Sequence, residues 1–205
     1  MEEHTLIEEE IFERGYRLIA GVDESGRGAL AGPVVASACI LPRNLILDGV
    51  DDSKKLSPEQ RAQLYLVITR HPDIFFGIGI VTNHHIDKMN ILQAALYAMN
   101  LAVQNLSKQP DYLLVDGPQL PATHIAAQAV IKGDSLSQSI SAASILAKYT
   151  RDTLMVDLHH KWPHYAFDQH KGYGTAKHVQ ALKKYGPCPV HRRSFAPVKS
   201  TTSTP

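Results

Sequence analysis

Two apolar runs, Arg17 to Asp23 and Val34 to Leu41, flank a segment carrying Gly26, Gly28 and Gly32, and no other stretch constrains the fold as much. Aliphatic and β-branched residues on either side of closely spaced glycines predict two strands joined by a glycine-rich turn. Ile74 to Thr82 predicts a third strand. Between the second and third, Ser57-Pro58-Glu59-Gln60 supplies an N-cap, a proline at the first helical position and a capping-box partner. A helix is expected from there to Arg70, stopped by His71-Pro72.

From Asn90, apolar residues at Ile91, Ala94, Ala95, Ala98, Leu101, Ala102 and Leu106 recur at three- and four-residue intervals, the period of an amphipathic helix. Tyr112 to Val115 predicts a short buried strand that runs straight into Asp116-Gly117-Pro118, and Gln128 to Ile131 predicts another. After Gly133-Asp134-Ser135 a long helix rich in small residues is expected over Ser139 to Lys161, closed by Trp162-Pro163, and a further helix over Thr175 to Lys184. Early strands followed by helices alternating with single strands make an α/β pattern. Residues 1–162 are expected to form the main domain, 163–198 a small C-terminal appendage, and the Ser/Thr/Pro-rich 199–205 a frayed tail.

Composition narrows the function classes. With 205 residues, 44% of them hydrophobic and 20% charged, the chain is long enough for one sizeable core. Lys+Arg of 21 against Asp+Glu of 20 leaves no global basic field, so any binding of nucleic acid must rest on local positive charge. The two cysteines, Cys39 and Cys188, are too few for a disulfide framework. The acidic start and the absence of an apolar run near the ~18 residues that span a bilayer point to a soluble, cytoplasmic chain without membrane partners.

Four carboxylates sit where chemistry is expected. Asp23 and Glu24 follow the first strand with no turn residue between; Asp116 holds the equivalent place after Tyr112-Leu113-Leu114-Val115; Asp134 precedes the long helix. Adjacent residues of a regular strand face opposite ways, so Asp23 and Glu24 can serve one centre only if the strand ends there. Carboxylates at the carboxyl ends of neighbouring strands project into the crevice where α/β folds bind ligands. Oxygen donors without companion cysteines favour Mg²⁺ or Mn²⁺ over zinc, and two such ions can hydrolyse a phosphodiester. An aspartate at a strand end is more often a turn former or helix cap than a metal ligand, and Asp134 in particular suits an N-terminal cap; the hypothesis rests on the set.

The glycine segment also imitates a dinucleotide fingerprint. Its spacing is wrong, Asp23-Glu24 would repel a pyrophosphate, and Pro33-Val34-Val35 continues as strand where a phosphate-binding helix should begin. The glycines instead suit close backbone approach to a ligand beside the acidic pair.

Several blocks together resemble bacterial ribonuclease HII: Gly21-Val22-Asp23-Glu24-Ser25-Gly26-Arg27-Gly28 with Leu30-Ala31-Gly32-Pro33-Val34-Val35, Asp51-Asp52-Ser53-Lys54-Lys55-Leu56-Ser57, Val115-Asp116-Gly117, Lys132-Gly133-Asp134-Ser135, Ser141 to Lys148, His170-Lys171-Gly172-Tyr173 and His191-Arg192-Arg193-Ser194-Phe195. They keep family order from Leu18 to Val198. The resemblance implies an RNase H-like mixed sheet flanked by helices, with the C-terminal appendage mainly helical and clamping substrate. It implies a monomeric endonuclease that cuts the RNA strand of RNA–DNA hybrids and single ribonucleotides embedded in duplex DNA, leaving 3'-hydroxyl and 5'-phosphate ends. Asp23, Glu24, Asp116 and Asp134 match the carboxylates that bind Mg²⁺ or Mn²⁺ and carry catalysis. Gly26-Arg27-Gly28 matches the loop that senses the ribose 2'-hydroxyl, with Tyr173 in support, and Lys54, Lys55 and Lys171 join the substrate contacts. Ser25, Ala29 and Gly174 depart from common family choices without removing a carboxylate or a loop glycine.

Lys171, Lys177, Lys183, Lys184, Arg192 and Arg193 are expected to form a local basic patch for a duplex, the rival reading being plain solubility. His170, His178, Cys188 and His191 lack the spacing of a complete zinc site. A catalytically silent hybrid-binding module on the same fold is the alternative function, which Mg²⁺-dependent cleavage separates from the enzyme.

Overall fold

The glycine-rich segment does connect two strands. The computed structural model describes residues 6–50 and 56–201. In chain order the elements are α1 (Leu6–Glu13), β1 (Ile19–Ser25), β2 (Val34–Ile40), α2 (Pro58–Arg70), β3 (Phe75–Val81), α3 (Asn83–Met89), α4 (Ile91–Gln104), β4 (Tyr112–Asp116), β5 (Ala126–Val130), α5 (Gln138–Lys161), α6 (Phe167–His170), α7 (Ala176–Tyr185) and α8 (Val198–Thr201). Short 3-10 turns stand at Gly133–Ser135 and Pro163–Tyr165. The strands form one mixed sheet in the order β3-β2-β1-β4-β5. The β1–β2 and β2–β3 pairs are antiparallel, and the β1–β4 and β4–β5 pairs are parallel.

The period of two along a strand decides which side chains meet which helix. Ala20 and Val22 of β1, the even-numbered residues of β2, and Leu113 and Val115 of β4 pack with Ala94, Ala98 and Ala102 of α4. The alternate residues face α5: Cys39 packs with Ala142, Ala143, Ile145 and Leu146, while Tyr112 and Leu114 pack with Ile140. The contact with α5 is unusually close. A Cβ at Gly21 would stand 2.1 Å from the backbone carbon of Ser139, so only glycine lets the helix lie directly on β1. That approach buries the stretch Gln138 to Ala147 and explains why it is built of small residues.

Local signals hold where they have a mechanism. The capping box of α2 forms: Gln60 N donates to Ser57 Oγ at 3.2 Å and Ser57 N to Gln60 Oε1 at 2.8 Å. One helix, α3, has no counterpart among the sequence expectations. Asn90, at φ 73°, separates it from α4: its N–H donates to Ile86 O, ending one helix, while its side chain caps Gln93 N, opening the next. The tail expected to fray from Lys199 instead continues the helical turn α8, because Val198 is buried against Leu30 and Leu182; 202–205 lie outside the described residues.

The C-terminal elements are threaded onto the β1–β2 connection. Ala29 bridges Tyr173 and Ala31 bridges His191. Leu30 N donates to Gly172 O at 2.8 Å, Arg192 N to Leu30 O at 2.8 Å and Gly32 N to Val190 O at 2.9 Å. Residues 26–33 thus lie between two C-terminal segments. Among the described residues no helix is long and apolar enough to cross a membrane.

Gly21→Ala is expected to lower stability by more than about 2 kcal/mol in urea denaturation, because the methyl group meets backbone and not a movable side chain; an unchanged midpoint would show that α5 is not pinned to β1.

Candidate active site

Parity brings the first two carboxylates together. The β1–β4 ladder ends at the pair Val22↔Val115, and one residue beyond it on each strand stand Asp23 and Asp116, both on the face covered by α5. The strand end expected at Asp23 falls two residues later: β1 runs to Ser25, paired there only with β2. Glu24, which parity assigns to the opposite face, lines the same cleft, since the missing β4 partner leaves this end of β1 open on one side. The cleft has a volume of about 420 Å³.

Asp23 is 6% exposed. Burial, then the charges of Glu24 and Asp116, push its carboxyl well above the usual range, against hydrogen bonds from Ser144 and from Glu24 N. Burial also raises Glu24, opposed chiefly by Arg27, whose Nη1 lies 3.1 Å from Glu24 Oε1. Gly133 N donates to Asp116 Oδ1 at 2.7 Å, so the turn carrying Asp134 is tied to the cleft through its neighbour. Asp134 itself is buried beside the cleft and is not one of its lining residues; its carbonyl accepts from Ser141 Oγ. Among the described residues no three His, Cys, Asp or Glu side chains close into a ready-made ligand cage. The three carboxylates line one cleft without closing on a common point.

Gly26, Arg27, Gly28 and Tyr173 line the same cleft. Gly26 has φ 96°, and a Cβ there would run into Arg151 Nε at 1.9 Å. Gly28 is different: a Cβ would meet only Tyr173 Cε1, at 3.9 Å, so packing within the protein does not demand glycine at this position. The space that it leaves opens on the cleft.

Two buried arginines hold this loop. Arg192 donates to the carbonyls of Gly26 (2.7 Å), Arg27 (2.8 Å), Gly32 (3.0 Å) and Pro33 (3.1 Å). Arg151 donates to Pro33 O at 3.0 Å and Ala31 O at 3.3 Å, and its guanidinium carbon lies 5.3 Å from the centre of the Tyr173 ring. Burial, with Arg151 as a like-charged neighbour, lowers Arg192 to about 9. Arg192 therefore does not belong to the expected surface patch: it is fully buried, and four of its five N–H groups are spent on carbonyls.

The other basic residues are placed as follows. Lys183, Lys184 and Arg193 are exposed, and Lys177 donates to Gln169 Oε1. Lys171 lines a neighbouring groove with Arg61 and Tyr149, its Nζ donating to the Asp168 carbonyl. Lys54 and Lys55 lie outside the described residues. Sequence reasoning gave no role to Ser144 and Lys148, which line the cleft, or to Arg151. Their signal was the i, i+4 spacing of Ser144 and Lys148 on one face of α5, with Arg151 following a turn later.

His170, His178, Cys188 and His191 do gather, the last three through hydrogen bonds and His170 by stacking on His178. His178 Nε2 and His191 Nε2 are 3.0 Å apart, and His191 Nδ1 accepts from Cys188 N at 3.0 Å. Burial lowers all three histidines, His191 to about 4.

The mixed five-stranded sheet flanked by helices is the RNase H-like fold, with acidic residues where two parallel strands part. Residues 20–198 match the ribonuclease HII family, and the chain belongs to that family and is a ribonuclease H. It is 55% identical over 195 residues to ribonuclease HII of Chlamydia caviae, covering 95% of this chain and 92% of that one. It is 54% identical over 200 residues to ribonuclease HII of Chlamydia trachomatis serovar A, covering 98% and 92%. The crystal structure of ribonuclease H2 from Pyrococcus horikoshii OT3 superposes with a TM-score of 0.75 at 28% identity, covering 90% of this chain and 96% of that one.

The neutral histidines give a pH signature. A His whose folded pKa is depressed contributes stability that is present above its unfolded value, about 6.5, and lost as pH falls toward the folded value. His191 alone accounts for on the order of 3 kcal/mol over that window. Urea denaturation at pH 7 and pH 4.5 is expected to show a smaller acid loss for His191→Gln than for the unaltered protein; equal losses would contradict a neutral His191.

Proposed function

We propose that the chain cuts the RNA strand of RNA–DNA hybrids and also cuts at single ribonucleotides embedded in duplex DNA. The observation that carries the reading is one cleft lined by Asp23, Glu24 and Asp116 together with the bare Gly28 backbone and Tyr173. A deoxyribose and a ribose differ at the 2'-hydroxyl, which a backbone group reads only if no side chain keeps the sugar away. Gly28 meets that requirement without being forced to by packing.

The donor set fits Mg²⁺ or Mn²⁺. All three side chains offer hard oxygens, and burial together with mutual repulsion leaves Asp23 in need of positive charge. Asp23, Glu24 and Asp116 hold the ions in this reading, with Asp134 completing the site from beside it. A pair of such ions would supply activation of water and stabilisation of the leaving oxygen; with the 3' oxygen leaving, the ends would be 3'-hydroxyl and 5'-phosphate.

The chain's own groups do the rest. Ser144 and Glu24 N orient Asp23; Gly133 N orients Asp116; Arg27 holds Glu24. Gly26 to Gly28 present backbone to the sugar, and Tyr173 closes over its neighbour. Lys148, in the cleft wall with its Nζ 2.7 Å from Asp152 Oδ1, supplies positive charge for the scissile phosphate in this reading. Lys54, Lys55 and Lys171, with the exposed Lys183, Lys184 and Arg193, contact duplex phosphates away from the cut. The protein acts as a monomer in the cytoplasm.

The test is cleavage of an end-labelled DNA duplex with one ribonucleotide. Cutting is expected at that position, lost in chelator and reduced at least about a thousand-fold in Asp116→Asn while hybrid binding persists. Wild-type turnover by Asp116→Asn, or cutting that survives chelator, contradicts the assignment; binding without cleavage in the unaltered protein supports the silent module.

A further inference from the structure

The buried histidine pair is wired in one direction. Cys188 N is a backbone N–H and can only donate, so His191 Nδ1 accepts, and the His191 proton sits on Nε2. That proton points at His178 Nε2, 3.0 Å away, which must then accept. His178 is left with its proton on Nδ1, which donates to the Tyr173 carbonyl at 2.9 Å. Both rings are essentially inaccessible, His178 at 0% and His191 at 1% exposure. Phe167 meets His178 edge-on, and His170 stacks on His178 with ring centres 4.5 Å apart.

The chain of donors ends at a particular place. Tyr173 is the residue bridged to Ala29, and its ring lies beside Gly28. His191 is the residue bridged to Ala31. The two segments that flank the glycine loop are therefore joined to each other through one imidazole–imidazole bond. An apolar side chain of similar size in place of His178 would fill the space but would leave Tyr173 O with only the Thr175 N–H, at 2.8 Å, which comes from its own turn.

We propose that His178 is a positioning residue for ribose recognition: its Nδ1–H, oriented by His191, fixes the Tyr173 backbone and thereby the place of the Tyr173 ring against Gly28. This rests on the reading that Tyr173 and the glycine loop check the 2'-hydroxyl.

Two amide variants separate the ring nitrogens. His178→Asn keeps an N–H near the Nδ1 position, and His178→Gln keeps an acceptor oxygen near Nε2 for the His191 proton and loses the donor to Tyr173. The readout is the ratio of kcat/KM on a duplex with one ribonucleotide to kcat/KM on a long hybrid, with Tm recorded beside it. His178→Gln is expected to lower the ratio about five- to ten-fold, the scale of one lost hydrogen bond, and His178→Asn to stay within about two-fold of the unaltered protein. Equal ratios in the two variants, whether both unchanged or both reduced, overturn the proposal, since a merely structural histidine would not distinguish them. Tyr173→Ala serves as the control: an unchanged ratio there sinks the ribose reading itself, whereas a fall there with no fall in His178→Gln sinks only the positioning role. If either amide variant fails to fold, ring ¹⁵N shifts of the unaltered protein decide. His178 as the Nδ1–H tautomer with His191 as the Nε2–H tautomer is expected, and any other pair overturns the wiring.

Discussion

Burial of Asp23 with Glu24 and Asp116 as like-charged neighbours is the constraint on which the site depends. Two of these side chains share a face because β1 and β4 are parallel neighbours in register, and the third joins them because β4 stops short of it. Burial under α5 makes the arrangement costly: a carboxylate loses water and gains like-charged neighbours. The protein meets part of that cost with donors from Ser144, Gly133 N and Arg27. The remainder is available to a divalent cation, so the feature that weakens the fold is the one that equips the site.

The glycine loop follows a different rule. There the chain exposes backbone, and a glycine-rich loop without side chains to pack would ordinarily be mobile. Arg192 and Arg151 prevent this from inside, spending their donors on the carbonyls of residues 26, 27 and 31–33. A guanidinium suits the task because its fork of donors reaches several carbonyls at once. The C-terminal segments supply Arg192 and Tyr173 together, so the loop and the ring beside it are positioned by the same part of the chain.

Much of this was legible in the residues. Strands, the capped α2 and the long small-residue helix follow from periodicity and turn chemistry, and the carboxylates stand out because they follow apolar strands with no turn residue between. Two things were not legible. Arg192 reads as a surface charge in His191-Arg192-Arg193, since nothing local distinguishes a guanidinium that is exposed from one that is turned inward onto carbonyls some 160 positions earlier in the chain. His178 and His191 likewise read as isolated histidines, because thirteen residues separate two rings that touch only after the C-terminal segments dock. α3 escaped because its seven residues are too few to display a period and its boundary depends on the left-handed conformation of Asn90.

The most direct measurement of the central claim is thermal unfolding of the unaltered protein and Asp23→Asn, each in chelator and in millimolar Mg²⁺. Removing one buried charge should make Asp23→Asn the more stable of the two in chelator, while Mg²⁺ should raise the unaltered protein's Tm and leave the variant's almost unmoved. An Asp23→Asn protein less stable in chelator, or an unaltered protein indifferent to Mg²⁺, would mean that the carboxylates are not held against one another for a cation.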